Sequence, residues 1–240
     1  MKHNKTIAVL IPCYNEGITI QKVIADIRTI TKDAAIYVYD NGSTDDTVRQ
    51  AEISGAIVRH EKKRGKGNVV KTMFQDIYAD CYVIVDGDDT YDISNMQSMI
   101  HKVLYEDADM VIGNRLSSAY FTQNKKWINS MGNKWIAWAI KTLFKVDMKD
   151  ILTGCRAFSH HFVKTFPANS TGFGVETEMT IFALTNNMKV DFVDIGYRDR
   201  PQGSYSKIRF VKDGLIILYT LIKLSIQSKL KKGREMYEML

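Results

Sequence analysis

The stretch Tyr82-Val83-Ile84-Val85-Asp86-Gly87-Asp88-Asp89 sets a continuous apolar run directly against three carboxylates. A short unbroken apolar run reads as a strand covered on both faces, the kind that builds parallel sheets. Ligands of open α/β sheets bind beyond the carboxyl ends of the strands, so a polar cluster that begins where a strand stops belongs at a binding site. Three carboxylates within four residues repel one another unless a hard cation neutralises them, and Mg2+ or Mn2+ takes such oxygen ligands. Asp86, Asp88 and Asp89 are therefore candidate metal ligands. The competing reading is an acidic turn that caps the next helix, a task Asp-Gly pairs also perform.

The same pattern recurs on either side. Ile7–Ile11, Ile36–Tyr39, Ala56–Arg59 and Met110–Ile112 read as buried strands, and the segments between them carry helical apolar spacing. Ile20, Val23, Ile24 and Ile27, for example, share one face of a helix predicted over Gly17–Ile30. The alternation predicts an α/β fold with a mainly parallel central sheet flanked by helices. Pro12–Glu16 and Asp40–Thr47 follow strands just as Asp86–Asp92 does. Within Asp40–Thr47, Ser, Thr and Asp suit a helix N-cap. Asp40 comes too early to cap; at a strand tip it suits a ribose hydroxyl or a base N–H, or else stabilises the turn. Arg64-Gly65-Lys66-Gly67-Asn68 lacks the glycine pattern of a dinucleotide fingerprint and the ending of a P-loop. It reads as a solvated basic loop from which Lys66 can reach a phosphate at the start of the next helix. Beyond Arg115, Trp127–Phe144 and Thr177–Asn187 read as helices, and Val190–Val193 with Ile195–Tyr197 as strand.

Composition removes other classes. In 240 residues there are 15 Gly and 3 Pro, which excludes collagen-like and disordered chains. Cys13, Cys81 and Cys155 are odd in number and far apart, so neither a disulfide framework nor a zinc site is expected, and a reducing compartment fits. No apolar stretch approaches the roughly 18 residues of a membrane span, and no signal peptide is legible. The charge of +6 is unevenly spread: residues 1–200 hold 25 Lys/Arg against 24 Asp/Glu, and residues 201–240 hold 8 against 3. The basic excess thus belongs to the tail and not to a nucleic-acid-binding surface, and no nucleic acid partner is expected. Gly214–Ile226 is mostly apolar and flanked by Lys207, Arg209, Lys212, Lys229, Lys231, Lys232 and Arg234. It is too short to span a bilayer but suited to lie in an anionic interface, the alternative being a core helix on the sheet.

Taken in order, Pro12-Cys13-Tyr14-Asn15-Glu16, Asp40–Thr47 and Asp86-Gly87-Asp88 resemble the P-x-Y-N-E, D-x-G-S-x-D-x-T and D-x-D motifs of glycosyltransferase family 2, the inverting nucleotide-sugar transferases of GT-A fold. The likeness covers nearly the whole chain. Ile112–Arg115, Asp150–Arg156, Glu176–Glu178 and Arg198–Lys207 further resemble the polyprenyl-phosphate hexosyltransferases, which include dolichol-phosphate mannose synthase. The resemblance implies a GT-A catalytic domain over residues 1–205 and a basic amphipathic helical extension over 206–240. It implies that Pro12, Tyr14, Asn15, Glu16, Val38, Asp40, Ser43 and Lys66 hold the nucleotide sugar, and that Asp86, Gly87 and Asp88 hold a metal diphosphate with Mg2+ or Mn2+. Arg115, Arg156, Arg200 and Lys207 would meet the phosphates. Two departures stand out: Thr90 occupies the place of a frequent third metal ligand, which Asp89 or water would replace, and the Arg200-to-Lys207 spacing is one residue longer than in the mannose synthases.

The implied reaction moves a hexose from a nucleotide diphosphate sugar, read as a UDP-sugar, to a polyprenyl phosphate, on a protein peripheral to the cytoplasmic face of the plasma membrane. Asp88, Arg115, Asp150, Arg200 and Lys207 are its candidate catalytic residues. An ionised phosphate acceptor needs little help from a base, which accords with the lack of a poised histidine. A sugar hydroxyl of a growing surface polymer is the alternative acceptor; it would need a carboxylate base, for which Asp150, Glu176 and Glu178 are candidates. A nucleotide-sugar binding module without turnover is the reading from a different class.

Overall fold

The computed structural model describes residues 5–116, 138, 140–142, 148, 150–207, 214, 218–220, 222, 223 and 226. The helix expected over Trp127–Phe144 and the extension over 206–240 lie largely outside the described residues; Trp138, Ile140, Lys141 and Thr142 are helical, as are the described residues from Gly214 to Ile226.

Each apolar run on which the fold prediction rests becomes a strand: β1 (Ile7–Cys13), β2 (Ala35–Asp40), β3 (Ile57–His60), β4 (Cys81–Ile84) and β6 (Met110–Asn114). Two shorter strands, β5 (Tyr91–Asp92) and β7 (Arg156–Ser159), were not legible in the pattern, whereas β8 (Val190–Asp194) and β9 (Gly196–Tyr197) were. The sheet order is β3-β2-β1-β4-β7-β6-β8, with β5 and β9 forming a separate antiparallel pair. Only β7 runs against its neighbours, wedged between β4 and β6. The mainly parallel sheet of the prediction is thus observed.

The sheet is covered on both faces, which is why β1 and β4 read as continuous apolar runs. In β1, Ala8 and Leu10 join the core on one side while Val9, Ile11 and Cys13 join the core on the other. The first core is closed by α3 (Lys66–Asp76), α5 (His160–Thr165) and α6 (Val175–Thr185). The second is closed by α1 (Ile20–Ile30), α2 (Thr47–Ile53) and α4 (Met96–Tyr105). In α1 the predicted stripe Ile20, Val23, Ile24 and Ile27 is the buried one. The parallel register of β1 with β2 and β4 brings Pro12–Glu16, Asp40–Thr47 and Asp86–Asp89 to one edge of the sheet. Among the described residues no helix is long and apolar enough to cross a membrane.

Candidate active site

The edge is drawn tight by Gly87: a Cβ there would stand 2.7 Å from Cys13 Sγ, so only glycine lets the end of β4 close onto the end of β1. Asn15, at φ 52°, turns the chain after β1 and donates its N–H to Ser43 Oγ at 2.9 Å, while its own Oδ1 accepts the Thr44 N–H at 2.8 Å. Asp40 accepts the N–H groups of Gly42 and Ser43 at 3.0 Å and lies 3.4 Å from His60 Nδ1. The Asp40 carboxylate therefore does shape its own turn, the alternative weighed for it. The Arg64 guanidinium covers the Tyr14 ring at 4.0 Å. Val38 does not fit the nucleoside role: its side chain is fully buried in the second core, packed between helices and sheet, and reaches no surface.

Four carboxylates and three cations converge beside these turns. Lys66 Nζ lies 2.6 Å from Asp86 Oδ1 and 2.8 Å from Glu176 Oε1. Arg200 is paired with Asp88 and stands 3.8 Å from Glu16, and Lys207 Nζ lies 2.6 Å from Glu16 Oε1. Lys66 is thus not solvated as its basic loop suggested, because Asn169–Thr171 closes over the glycines: a methyl at Gly65 or Gly67 would overlap the carbonyls of Thr171 and Ser170. Burial disfavours the Lys66 ammonium, yet Asp86 and Glu176 outweigh it and raise its pKa. Burial likewise works against the Asp86 carboxylate, and Lys66 holds its pKa down nonetheless. Glu16 is raised by burial, with nearby Asp88 adding to it against the pull of Lys207. Its Oε2 is buried without a hydrogen-bond partner.

This donor set fits a hard divalent cation in part. Asp86 and Asp88 offer carboxylate oxygens in a cluster with one carboxylate in excess, which leaves room for added positive charge and for phosphate or water oxygens to complete a coordination shell. Asp89 does not join them. Its backbone stands at φ 57° and its Oδ1 accepts from Arg198 at 2.6 Å and Lys22 at 3.2 Å, so it is occupied by α1 and by the segment after β9. Among the described residues no group of three or more Asp, Glu, His or Cys is placed to hold a metal.

Of the cations expected at the phosphates, Arg200 and Lys207 join this cluster, whereas Arg115 and Arg156 separate from it. Arg156 does not fit a phosphate role: it is 1% exposed, at the centre of the sheet between Ile84 and Ile112, donating to Thr153 O at 3.0 Å, Thr180 Oγ1 at 2.9 Å and Ile151 O at 2.5 Å. Burial pulls its pKa down to about 10. Arg115 grips Asp150 with Nε at 2.7 Å and a terminal nitrogen at 2.9 Å, and its backbone N–H adds a third bond at 3.1 Å. Arg115 and Asp150 thus form a salt bridge with the aspartate fully buried. Asp150, fully buried under three donors, does not fit a general base. Nor does Glu178, which accepts the Asn169 and Ser170 N–H groups at 2.9 and 2.7 Å and so holds down the loop over Lys66.

Two contributors escaped the sequence reading. Tyr91 donates its hydroxyl to Asp86 Oδ2 at 3.3 Å and accepts the Gly154 N–H at 2.8 Å, joining the carboxylate to the Asp150–Arg156 loop. Asn41 donates to Glu61 O and Lys63 O and accepts the Gly65 N–H at 2.8 Å, which fixes the loop that delivers Lys66. Asn41 lay inside a recognised motif, and the polarity of that motif was the available signal; Tyr91 carried none.

The mainly parallel sheet, with paired carboxylates and cations gathered at its strand ends, is of GT-A fold. The family follows from the sequence: residues 8–166 match the family model described as Glycosyl transferase family 2, and the chain belongs to that family. It is 35% identical over 218 residues to glycosyltransferase AglJ of Haloferax volcanii, covering 90% of this chain and 71% of that one. It is 26% identical over 225 residues to the dolichyl-phosphate hexose transferase of the same organism, covering 94% and 96%. Among solved structures, glucosyl-3-phosphoglycerate synthase from Mycobacterium tuberculosis in complex with Mn2+, UDP-glucose and phosphoglyceric acid superposes with a TM-score of 0.74 at 21% identity, covering 92% of this chain and 80% of that one.

Proposed function

We propose that this chain is an inverting hexosyltransferase that moves a hexose from a UDP-sugar to a polyprenyl phosphate, with Mg2+ or Mn2+ held by Asp86 and Asp88. The observation that carries the reading is the set of exchangeable ion pairs at the strand ends. Lys66, Arg200 and Lys207 each rest on a carboxylate beside the Asp-Gly-Asp turn, where a diphosphate can take the place of those partners. The buried, unpartnered Glu16 Oε2 is an acceptor that a ribose hydroxyl would satisfy. The uridine nucleotide and the metal accord with those named for the solved neighbour, and the lipid phosphate with the dolichyl-phosphate relative.

In the transfer, an acceptor phosphate oxygen bonds to the anomeric carbon from the face opposite the diphosphate. The bond from that carbon to the diphosphate oxygen breaks, its electron pair leaves with the nucleoside diphosphate, and the configuration inverts. A bound divalent cation supplies charge neutralisation for the departing diphosphate. Lys66, Arg200 and Lys207 add fixed positive charge at the same place without reorganising. The acceptor phosphate is ionised at neutral pH and needs no base. Of the carboxylates a hydroxyl acceptor would call upon, Asp150 and Glu178 are engaged away from the cluster and Glu176 is paired with Lys66, which favours phosphate over hydroxyl. In the tail, Leu218, Ile222 and Ile226 recur at helical spacing and are 48%, 49% and 53% exposed, with Tyr219 beside them. An outward apolar stripe within a basic segment supports placement on the anionic cytoplasmic surface of the plasma membrane.

The test is release of nucleoside diphosphate from UDP-glucose, UDP-N-acetylglucosamine, UDP-galactose or GDP-mannose, with and without Mn2+ and a short polyprenyl phosphate. Release from a UDP-sugar that needs both additions is expected. Release that follows an added oligosaccharide, or nucleotide binding with no release under any condition, overturns the reading.

A further inference from the structure

Arg200 and Lys207 reach the site from a segment whose only strand pairing ends at β9, where Gly196 and Tyr197 lie against Asp92 and Tyr91. The last backbone bond to that strand's surroundings is from the Arg198 N–H to Thr90 O at 2.9 Å. From there the chain must turn so that Arg200 meets Asp88 and Lys207 meets Glu16 and the Asn15 carbonyl. The Arg198 side chain stands at that turn. Its Nε donates to Asp89 O at 3.0 Å, and one terminal nitrogen donates to Asp89 Oδ1 at 2.6 Å, to Tyr91 O at 3.3 Å and to Asp26 Oδ2 at 3.4 Å.

We infer that Arg198 is a positioning residue that latches the segment Gly196–Lys207 to the Asp-Gly-Asp-Asp turn and to α1, and so sets Arg200 against Asp88. Two observations carry this independently of any charge balance. Arg198 holds both the carbonyl and the carboxylate of Asp89, a non-glycine residue kept in the left-handed region at φ 57° directly after Asp88. A backbone held in that region persists only where its surroundings over-determine it, and such residues gather at functional sites. The same guanidinium is the start of the stretch that delivers Arg200, two residues on. Arg198 therefore fixes both members of the Arg200–Asp88 pair while touching neither. A lysine cannot do this, because its single ammonium cannot span a carbonyl and a carboxylate as the planar fork does.

The consequence for nucleotide binding rests on the donor reading above; the placement of the segment does not. Four full-length proteins test it: Arg198→Ala, Arg198→Lys, Arg200→Ala and the double variant Arg198→Ala/Arg200→Ala. Titrated with UDP and Mn2+, Arg198→Ala should bind about tenfold more weakly than wild type, Arg198→Lys nearly as weakly, and the double variant no more weakly than Arg200→Ala. Wild-type affinity in Arg198→Ala, or an equal further loss in the double variant, overturns the inference, since the residue would then act independently of Arg200. The second readout needs no nucleotide: trypsin cleavage after Lys207 in the ligand-free protein should run at least fivefold faster in Arg198→Ala and in Arg198→Lys at unchanged melting temperature. Unchanged cleavage overturns the latch. Failure of wild type to bind UDP, with cleavage accelerated as expected, sinks the donor reading and leaves the latch standing.

Discussion

Two regions of this protein use the same residue types for different ends. Where β1, β2 and β4 stop, Lys66, Arg200 and Lys207 pair with Asp86, Asp88, Glu16 and Glu176, and the three cations come from two separate parts of the chain. Around β6 and β7, Arg115 and Arg156 are equally charged, yet Arg115 is clasped by one aspartate and Arg156, the more deeply buried of the two, by two carbonyls and a hydroxyl. The difference lies in what a ligand could displace. A cation resting on carboxylates at a strand end can trade them for a phosphate, whereas a guanidinium clasped by a buried aspartate, or by buried carbonyls and a hydroxyl, cannot leave without orphaning them.

The sharpest way to break this comparison is at Asp88. Asp88→Ala should slow nucleoside diphosphate release about a thousandfold, roughly 4 kcal/mol of barrier, with the melting temperature within a few degrees of wild type. EDTA should mimic it. Full activity of the variant in metal-free buffer would reduce Asp86–Asp89 to an acidic turn. On the other side, Arg115→Ala takes the guanidinium away from the buried Asp150 carboxylate, which should cost about 3–5 kcal/mol of stability in denaturant unfolding. The affinity for UDP should stay within about twofold; a weakened affinity at unchanged stability would return Arg115 to the phosphate site. Arg156→Met should cost about 2–3 kcal/mol, because it removes the buried bonds that the guanidinium gives to Ile151 O, Thr153 O and the Thr180 hydroxyl. Its UDP affinity should also be unchanged.

The smallest effect concerns pH. Burial raises the Glu16 pKa above its ordinary value of 4.5, so the folded protein holds this proton more tightly than the unfolded chain. The resulting stabilisation is complete below pH 4.5 and is lost as pH rises through the folded value. Stability of wild type relative to Glu16→Gln should therefore fall as pH is raised from 4.5, measured by urea unfolding of the ligand-free proteins. A flat difference would mean that Lys207 cancels the effect of burial.

The strands of the parallel half were legible because each is an apolar run with a polar cluster at its end, a pattern written in adjacent residues. β7 was not, since Arg156 at its head reads as a surface charge until β4 and β6 are placed on either side of it. The same blindness made Val38 look like a nucleoside contact and Asp89 a metal ligand: a motif marks a neighbourhood, not the direction in which each side chain leaves the backbone.

Sequence alone therefore determined the α/β class, the two-faced burial of the strands, the edge of the sheet that carries the chemistry and, through its motifs, the family. These are matters of period and order along the chain, set by local geometry. Which charge answers which was decided only by the tertiary structure. Arg200 finds Asp88 across 112 residues and Lys207 finds Glu16 across 191, while Arg115 and Arg156, which resemble them in composition and motif, are taken up by partners inside the core. A buried charge must be matched wherever the fold places it, and that place is fixed by the packing of the whole sheet and not by the residues beside it.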